Sequence, residues 1–256
     1  MTLQERFLGY FLRNPSQKDY NFQQIELIPD NPLKLLEAEY TNFKDIIVGK
    51  KIVDFGCGKG HQSIALAEKY SCQVIGTDIN ETVLEKATSR AQLNQIPEAK
   101  LSFTTNISDA LKNNIDIVIS HNSFEHFDDP LAILNEMKSL LNDNGKIIIT
   151  FGPPWLAPYG SHMHFFCKIP WVHVFFSEQA VMNARKNFRD DNKMTYVDAG
   201  MNKMTISKFE QLIESIDLKI VFKRYKCIKG LDPLSKIPYL REFFINHVSV
   251  LLAKSN

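Results

Sequence analysis

The stretch Lys51-Ile52-Val53-Asp54-Phe55-Gly56-Cys57-Gly58-Lys59-Gly60-His61 decides how this chain is read. Ile52, Val53 and Phe55 form a short apolar run of the kind a buried strand needs, with one carboxylate, Asp54, set inside it. Gly56, Gly58 and Gly60 then alternate with Cys57 and Lys59, and Ile64-Ala65-Leu66-Ala67 opens a helical pattern at once. Strand, glycine turn and helix in that order make the nucleotide-binding corner of a doubly wound α/β sheet. The glycines let the backbone take positive φ and let a ligand approach without Cβ atoms in the way.

Outward from this corner, strands and helices alternate. Gln73-Val74-Ile75-Gly76-Thr77 reads as the second strand, ending at Asp78, and a helix from about 80 to 94 follows. A third strand is expected at about 100–104 and a fourth over Ile115–Ser120. The helix at about 130–141 carries Leu131, Ile133, Leu134, Met137, Leu140 and Leu141 as a core-facing stripe. Asn144-Gly145 is read as its end, and Lys146–Phe151 as the fifth strand. Upstream, Asn31-Pro32 looks like a helix start, with apolar residues at helical spacing from Leu33 to Ile47. Residues 1–30, with Phe7, Phe11, Tyr20 and Phe22, are expected to hold a short helix or two, either closing over the cleft or packing as an extension.

The dinucleotide fingerprint is G-x-G-x-x-G, and here the third glycine comes one residue early, with His61 in its place. Asp54, two residues before the first glycine, suits an amine-bearing or cationic ligand better than a pyrophosphate. Val53-Asp54-Phe55-Gly56-Cys57-Gly58-Lys59-Gly60 resembles the first motif of class I S-adenosylmethionine-dependent methyltransferases. Phe124-Glu125-His126-Phe127-Asp128-Asp129-Pro130 is similar to the segment opening the fourth crossover helix in small-molecule members. Leu140-Leu141-Asn142-Asp143-Asn144-Gly145-Lys146-Ile147 resembles the family's helix–turn–strand step. The three matches cover roughly residues 50–151.

The resemblance implies a Rossmann-like sheet of seven strands, mostly parallel, with an antiparallel C-terminal edge hairpin over Leu218–Cys227 and His247–Ala253. It implies S-adenosyl-L-methionine as cofactor, held by Asp54, Gly56, Cys57, Gly58, Gly60, Asp78, Ile79, Asn106, Ile107 and His121. Asp78 stands 18 residues after Gly60, where an acidic side chain reaches ribose hydroxyls. Its competing role is a helix cap, and the resemblance favours the ribose. Asn106 falls where the family usually has an acidic residue on the adenine amino group; an amide oxygen can also accept there. Asp109 is the alternative, with a helix N-cap as its other reading.

After Phe151 about 50 residues intervene before the helix expected at 205–216, capped by Thr205. This stretch holds Trp155, Tyr159, His162, His164, Phe165, Phe166, Trp171, His173, Phe175 and Phe176, and reads as a lid or pocket wall. The expected organisation is one domain over residues 1–256: a helical extension (1–50), a cofactor-binding core (51–151), the aromatic insertion (152–203) and a C-terminal helix with edge strands (204–256). Methyl transfer from a sulfonium is an in-line displacement, so only an acceptor of high pKa needs a general base. His162 and His164 are the leading candidates, since alternating residues on an extended segment share a face. Glu125 and His126 come second, with shaping of the helix start as their structural role. No spacing fits a zinc pattern such as H-E-x-x-H, so no catalytic metal is expected.

Composition bounds the rest. In 256 residues, 44% are hydrophobic, ample for a core, and the net charge of +1 offers no electrostatic footprint for nucleic acid. Cys57, Cys72, Cys167 and Cys227 form no C-x-x-C pair and read as reduced thiols of a cytoplasmic protein. Neither a secretion signal nor an 18-residue apolar span is visible. The expected partner is a small-molecule or glycan acceptor methylated at oxygen, and contact with a membrane surface ranks last among the uses of the aromatic run. Two rivals stay open: a nicotinamide-dependent oxidoreductase on the same corner, and a non-catalytic cofactor-binding subunit.

Overall fold

In this computed structural model, the described residues are 2–12 and 31–254. Tyr20 and Phe22 lie outside them. Helix α1 (Leu3–Gly9) is followed by α2 (Lys34–Glu39) and α3 (Phe43–Ile47), then β1 (Lys51–Phe55), α4 (His61–Lys69), β2 (Gln73–Thr77), α5 (Glu81–Leu93) and β3 (Leu101–Thr104). Then come β4 (Ile115–His121), α6 (Pro130–Leu140), β5 (Leu141–Phe151), α7 (Val172–Phe175), α8 (Glu178–Arg185), α9 (Ile206–Ser215), β6 (Leu218–Cys227), α10 (Arg241–Phe244) and β7 (Ile245–Lys254).

The seven strands order as β3-β2-β1-β4-β5-β7-β6. Strands β1 to β5 run parallel and β7 runs antiparallel to both β5 and β6. Helices cover both faces, as parallel strands require. One face packs Val53, Val118, Ile147, Ile149 and Val250 under α6 and α9. The other packs Ile52, Ile117, Ile119, Ile148 and Leu251 under α2, α3 and α4. The order reverses between β1 and β4, so their C-terminal ends frame the crevice where open α/β sheets bind ligands.

Three local readings change. The helix expected from Asn31 is two helices, because Tyr40 turns extended and its hydroxyl donates to the Val250 carbonyl at 2.9 Å. Strand β5 begins at Leu141, which pairs with Ile115; the ladder then slips and resumes at Lys146 opposite Ile117. Asn142 is diverted there, its amide donating to Asp116 at 2.9 Å. Asp109 is not an N-cap: Ser108 accepts from the Ala110 N–H, and Asp109 points outward to Lys112.

The aromatic insertion builds a satellite core of Met163, Phe166, Val172, Val181, Met182 and Tyr196, completed by Leu8 of α1. Phe7 stacks on Phe176 at 6.1 Å, and the Asn183 amide donates to Glu5 at 2.6 Å. Residues 2–12 therefore pack as an extension of the insertion. No helix among the described residues is long and apolar enough to cross a membrane.

Candidate functional site

The corner after β1 is stitched by its own backbone. The Gly56 and Cys57 N–H groups both donate to the Thr77 carbonyl, at 2.8 and 2.9 Å, joining the loop to the end of β2. The Gly58 N–H donates to Asp78 Oδ2 at 2.9 Å, and the Asn80 N–H to Asp78 Oδ1 at 3.0 Å. Asp78 therefore fixes the loop while each oxygen keeps capacity for a further donor. The cap of α5 is Asn80. Gly56 sits at φ +77°, and a Cβ there would lie 2.7 Å from the Ser123 Cβ. The Ser123 hydroxyl uses that space to donate to the Gly56 carbonyl at 2.9 Å. At Gly58 the space beyond is open.

A cavity of about 580 Å³ opens beside this corner, lined by Phe55, Gly56, Thr77, Asp78, Ile79, Thr105, Asn106, Ile107, Asn122, Ser123, His126, Phe127, Ile133 and Glu136. Its volume is that of a small-molecule site. Ile79 is 94% exposed at its edge, a large apolar side chain left without a protein partner beside the Asp78 carboxylate. A larger groove of about 790 Å³ between α4 and α5 meets no strand end. A second cavity, about 560 Å³, is lined by Asn31, Pro32, Lys34, Leu35, Ala38, Cys57, His61, Gln62, His121 and Asn122. The two share Asn122, which stands at φ +53° just past β4.

Gly56, Asp78, Ile79, Asn106 and Ile107 thus converge on the first cavity, and Cys57 and His121 face the second. Asp54, Gly58 and Gly60 line neither. Asp54 is 2% exposed and accepts from the Ser63 hydroxyl at 2.5 Å and the Gln62 amide at 2.8 Å, tying β1 to the first turn of α4. Burial, opposed by those bonds and aided by Asp78, pushes its carboxyl up to about 6. Gly60 caps α4 at φ +73°, tight against Ala87 and Phe103. Burial raises the Cys57 thiol, with Asp54 and Asp78 adding to the shift. It is therefore no nucleophile at neutral pH.

The proposed bases separate. His162 and His164 do not share the face of an extended segment, because residues 163–165 form a 3-10 turn that buries Met163 between them. His164 is exposed against Tyr159. His162 is largely buried, its Nε2 without a hydrogen-bond partner, and burial, then His126 and His164, hold it down at about 4. Its ring meets that of His126 edge-on at 5.5 Å. Glu125 is buried, accepts weakly from the Gly152 N–H at 3.4 Å, and has its carboxyl raised by burial. Of the four, only His126 lines the first cavity; its Nδ1–H donates to the Gly200 carbonyl at 2.6 Å, leaving Nε2 as an acceptor. The sequence reading missed Asn122, Thr150 and the α2 residues Lys34 and Leu35. An asparagine ending a strand was the one available signal, since asparagine tolerates positive φ. Among the described residues no group of three or more His, Cys, Asp or Glu is placed to hold a metal.

Residues 47–152, which span β1 to β5, match a family described as "Methyltransferase domain". A ubiquinone biosynthesis O-methyltransferase of Idiomarina loihiensis is 34% identical over 134 residues, 52% of this chain and 53% of that protein. One of Neisseria meningitidis is 28% identical over 122 residues, 47% of this chain and 50% of that protein. The chain spans about half the length of these curated relatives. The fold of a geranyl diphosphate C-methyltransferase from Streptomyces coelicolor, solved with S-adenosyl-L-homocysteine, superposes with a TM-score of 0.56 at 12% identity over 99% of both chains. The strand order, the glycine corner and these matches define a doubly wound ligand-binding domain of the methyltransferase type. The β1–β5 region, residues 47–152, is a methyltransferase domain of the class I, S-adenosylmethionine-dependent type.

Proposed function

We propose that this chain transfers a methyl group from S-adenosylmethionine to an oxygen of a small-molecule acceptor. The observation that carries this is the first cavity, where Asp78, Ile79, Asn106 and Ile107 meet at the ends of β2 and β3. The residues fit the cofactor. A carboxylate with spare acceptor capacity suits a ribose diol, an amide suits an exocyclic amine, and exposed Ile79 suits a flat base. When bound, S-adenosylmethionine supplies an electrophilic methyl group on a sulfonium sulfur. The protein then has to hold two reactants in line and away from water. Asp78 orients the ribose and braces the glycine loop in the same act. His126 lines the cavity, held by its bond to the Gly200 carbonyl, without needing to act as a base.

Oxygen as the target draws support from the relatives named as O-methyltransferases. An oxidoreductase reading draws none from the comparisons, and the early third glycine opposes it. The test is calorimetry with S-adenosylhomocysteine: binding is expected, weakened at least tenfold, about 1.4 kcal/mol, in Asp78→Ala. Absence of heat with the unaltered chain would sink the proposal.

A further inference from the structure

The face of the sheet under α2 changes character along one row. Ile119, Ile148 and Leu251 are apolar and buried. One step further toward the ligand end, the register aligns His121 of β4 with Thr150 of β5, Thr150 with Ser249 of β7, and Ser249 with Arg224 of β6. Thr150 and Ser249 are both 0% exposed. Buried polar side chains in a sheet interior carry a desolvation cost, so their presence calls for a role.

His121 heads this row and lines the second cavity. Its Nδ1 lies 2.5 Å from Thr150 Oγ1, and the Asn122 amide nitrogen lies 3.3 Å from its Nε2. An amide N–H can only donate, so Nε2 carries the lone pair and Nδ1 carries the proton. The imidazole is thus set in one tautomer, with its basic nitrogen beside the residue that the two cavities share.

We propose that His121 takes the proton of the methyl acceptor, and that this acceptor is a phenolic or similarly acidic hydroxyl bound in the second cavity. This rests on the cofactor occupying the first. The acceptor hydroxyl displaces the long Asn122 hydrogen bond from His121 Nε2, and its O–H bond breaks as the proton passes to that nitrogen. The oxygen lone pair forms the new C–O bond, the methyl–sulfur bond breaks, and its electron pair stays on sulfur as neutral S-adenosylhomocysteine. His121 then releases the proton to solvent, so charge and atoms balance.

The acceptor class follows from how the imidazole is backed. Nδ1 faces a neutral hydroxyl, where a strong His base would have a carboxylate to stabilise the imidazolium. Burial, with His247 adding to it, also holds the group down at about 4. Such a base is free of its proton at neutral pH but weak. A base so weak is better suited to a hydroxyl of phenol-like acidity, about 10, than to the far less acidic alkyl alcohol. Pro32, Leu35 and Ala38 give the cavity apolar lining for a ring, in the same cavity as the polar Gln62, His121 and Asn122. Thr150 is the positioning residue.

The test uses the full chain with S-adenosylmethionine and three probes, read by mass spectrometry of the methyl ether. These are catechol, 4-nitrophenol at a pH where it is already ionised, and benzyl alcohol. Catechol and 4-nitrophenol are expected to be methylated and benzyl alcohol not. His121→Gln should lower kcat for catechol at least about 100-fold. For ionised 4-nitrophenol, which needs no base, it should lower kcat less than about fivefold. Thr150→Val should lower kcat for catechol with KM unchanged, and Thr150→Ser should restore it. Calorimetry with S-adenosylhomocysteine should be within twofold for all variants. Equal loss on both phenols, no loss on catechol, or a preference for benzyl alcohol overturns the proposal. Cofactor binding without turnover of either phenol overturns it alone, whereas no cofactor binding by the unaltered chain overturns the function with it.

Discussion

The two halves of this molecule are built on different terms. On the β1–β3 side, the cavity wall is made by short loops whose shape is set by hydrogen bonds from backbone N–H groups: the glycine turn to the Thr77 carbonyl, Gly58 to the Asp78 carboxylate, and α5 to the Asn80 side chain. On the side of the 152–203 insertion, shape comes from side chains packed around Phe166, Met182 and Tyr196 and closed by α1. A backbone-built wall is transferable between sequences because it asks for glycines, an acid and strand ends. A side-chain-built wall is particular to its own sequence. The half built on the glycine corner can therefore be shared by distant relatives while the other half diverges, as the extent of the family match at 47–152 illustrates.

The sharpest way to break the comparison is to damage each half separately. Phe166→Ala empties a fully buried ring site and should cost about 3–5 kcal/mol of stability in denaturant unfolding. S-adenosylhomocysteine affinity of the folded fraction should stay within twofold; a tenfold loss would mean the insertion shapes the cofactor wall after all. Gly56→Ala is the converse. It places a Cβ in left-handed backbone and against Ser123, costing roughly 1–2 kcal/mol for the backbone alone. Cofactor affinity should fall at least tenfold, and adding Ser123→Ala should recover part of it but not the whole.

Acid sensitivity separates the halves more gently. His121 and His162 are held down at about 4, against an ordinary 6.5. Between pH 6.5 and 4 the unfolded chain takes up protons there that the folded chain refuses, so stability falls on acidification. Asp54, raised to about 6, opposes this by holding a proton in the folded state that the unfolded chain has lost. Glu125, raised by burial, opposes it too, whereas His173 and His247 are lowered by burial and add to the loss; four imidazoles against two carboxyls leave a net loss, read as a lower melting temperature at pH 5 than at pH 7. His162→Phe should flatten that slope; an unchanged slope would contradict its burial. The smallest effect is expected at Asn106→Asp, which keeps an acceptor oxygen in the cavity. Calorimetry should show cofactor affinity within about threefold, and a larger loss would remove Asn106 from the site.

The same contrast explains what the sequence could disclose. Strands β1 and β2 were legible because continuous apolar runs end at glycine or Asp78, and their observed limits agree closely. Asp54 was legible as special but not in its duty, since only the fold shows Ser63 and Gln62 meeting it from the first turn of α4. Ser108 displaced Asp109 as a cap because both are good caps one residue apart. The histidines of the insertion were misjudged because their backbone turns where alternation assumed extension. His121 and Thr150 meet only across a strand pairing, 29 positions apart, which no local pattern encodes.

The bond between Gln4 and the Ser177 N–H joins residues 173 positions apart. A ribosome adding roughly 5–20 residues each second makes α1 some ten to thirty seconds before the helices it will lie against. Through that interval Phe7 and Leu8 are oily groups awaiting a partner not yet synthesised. Trimming the first dozen residues for expression would leave the late-made helices of the insertion with no counterpart to close on.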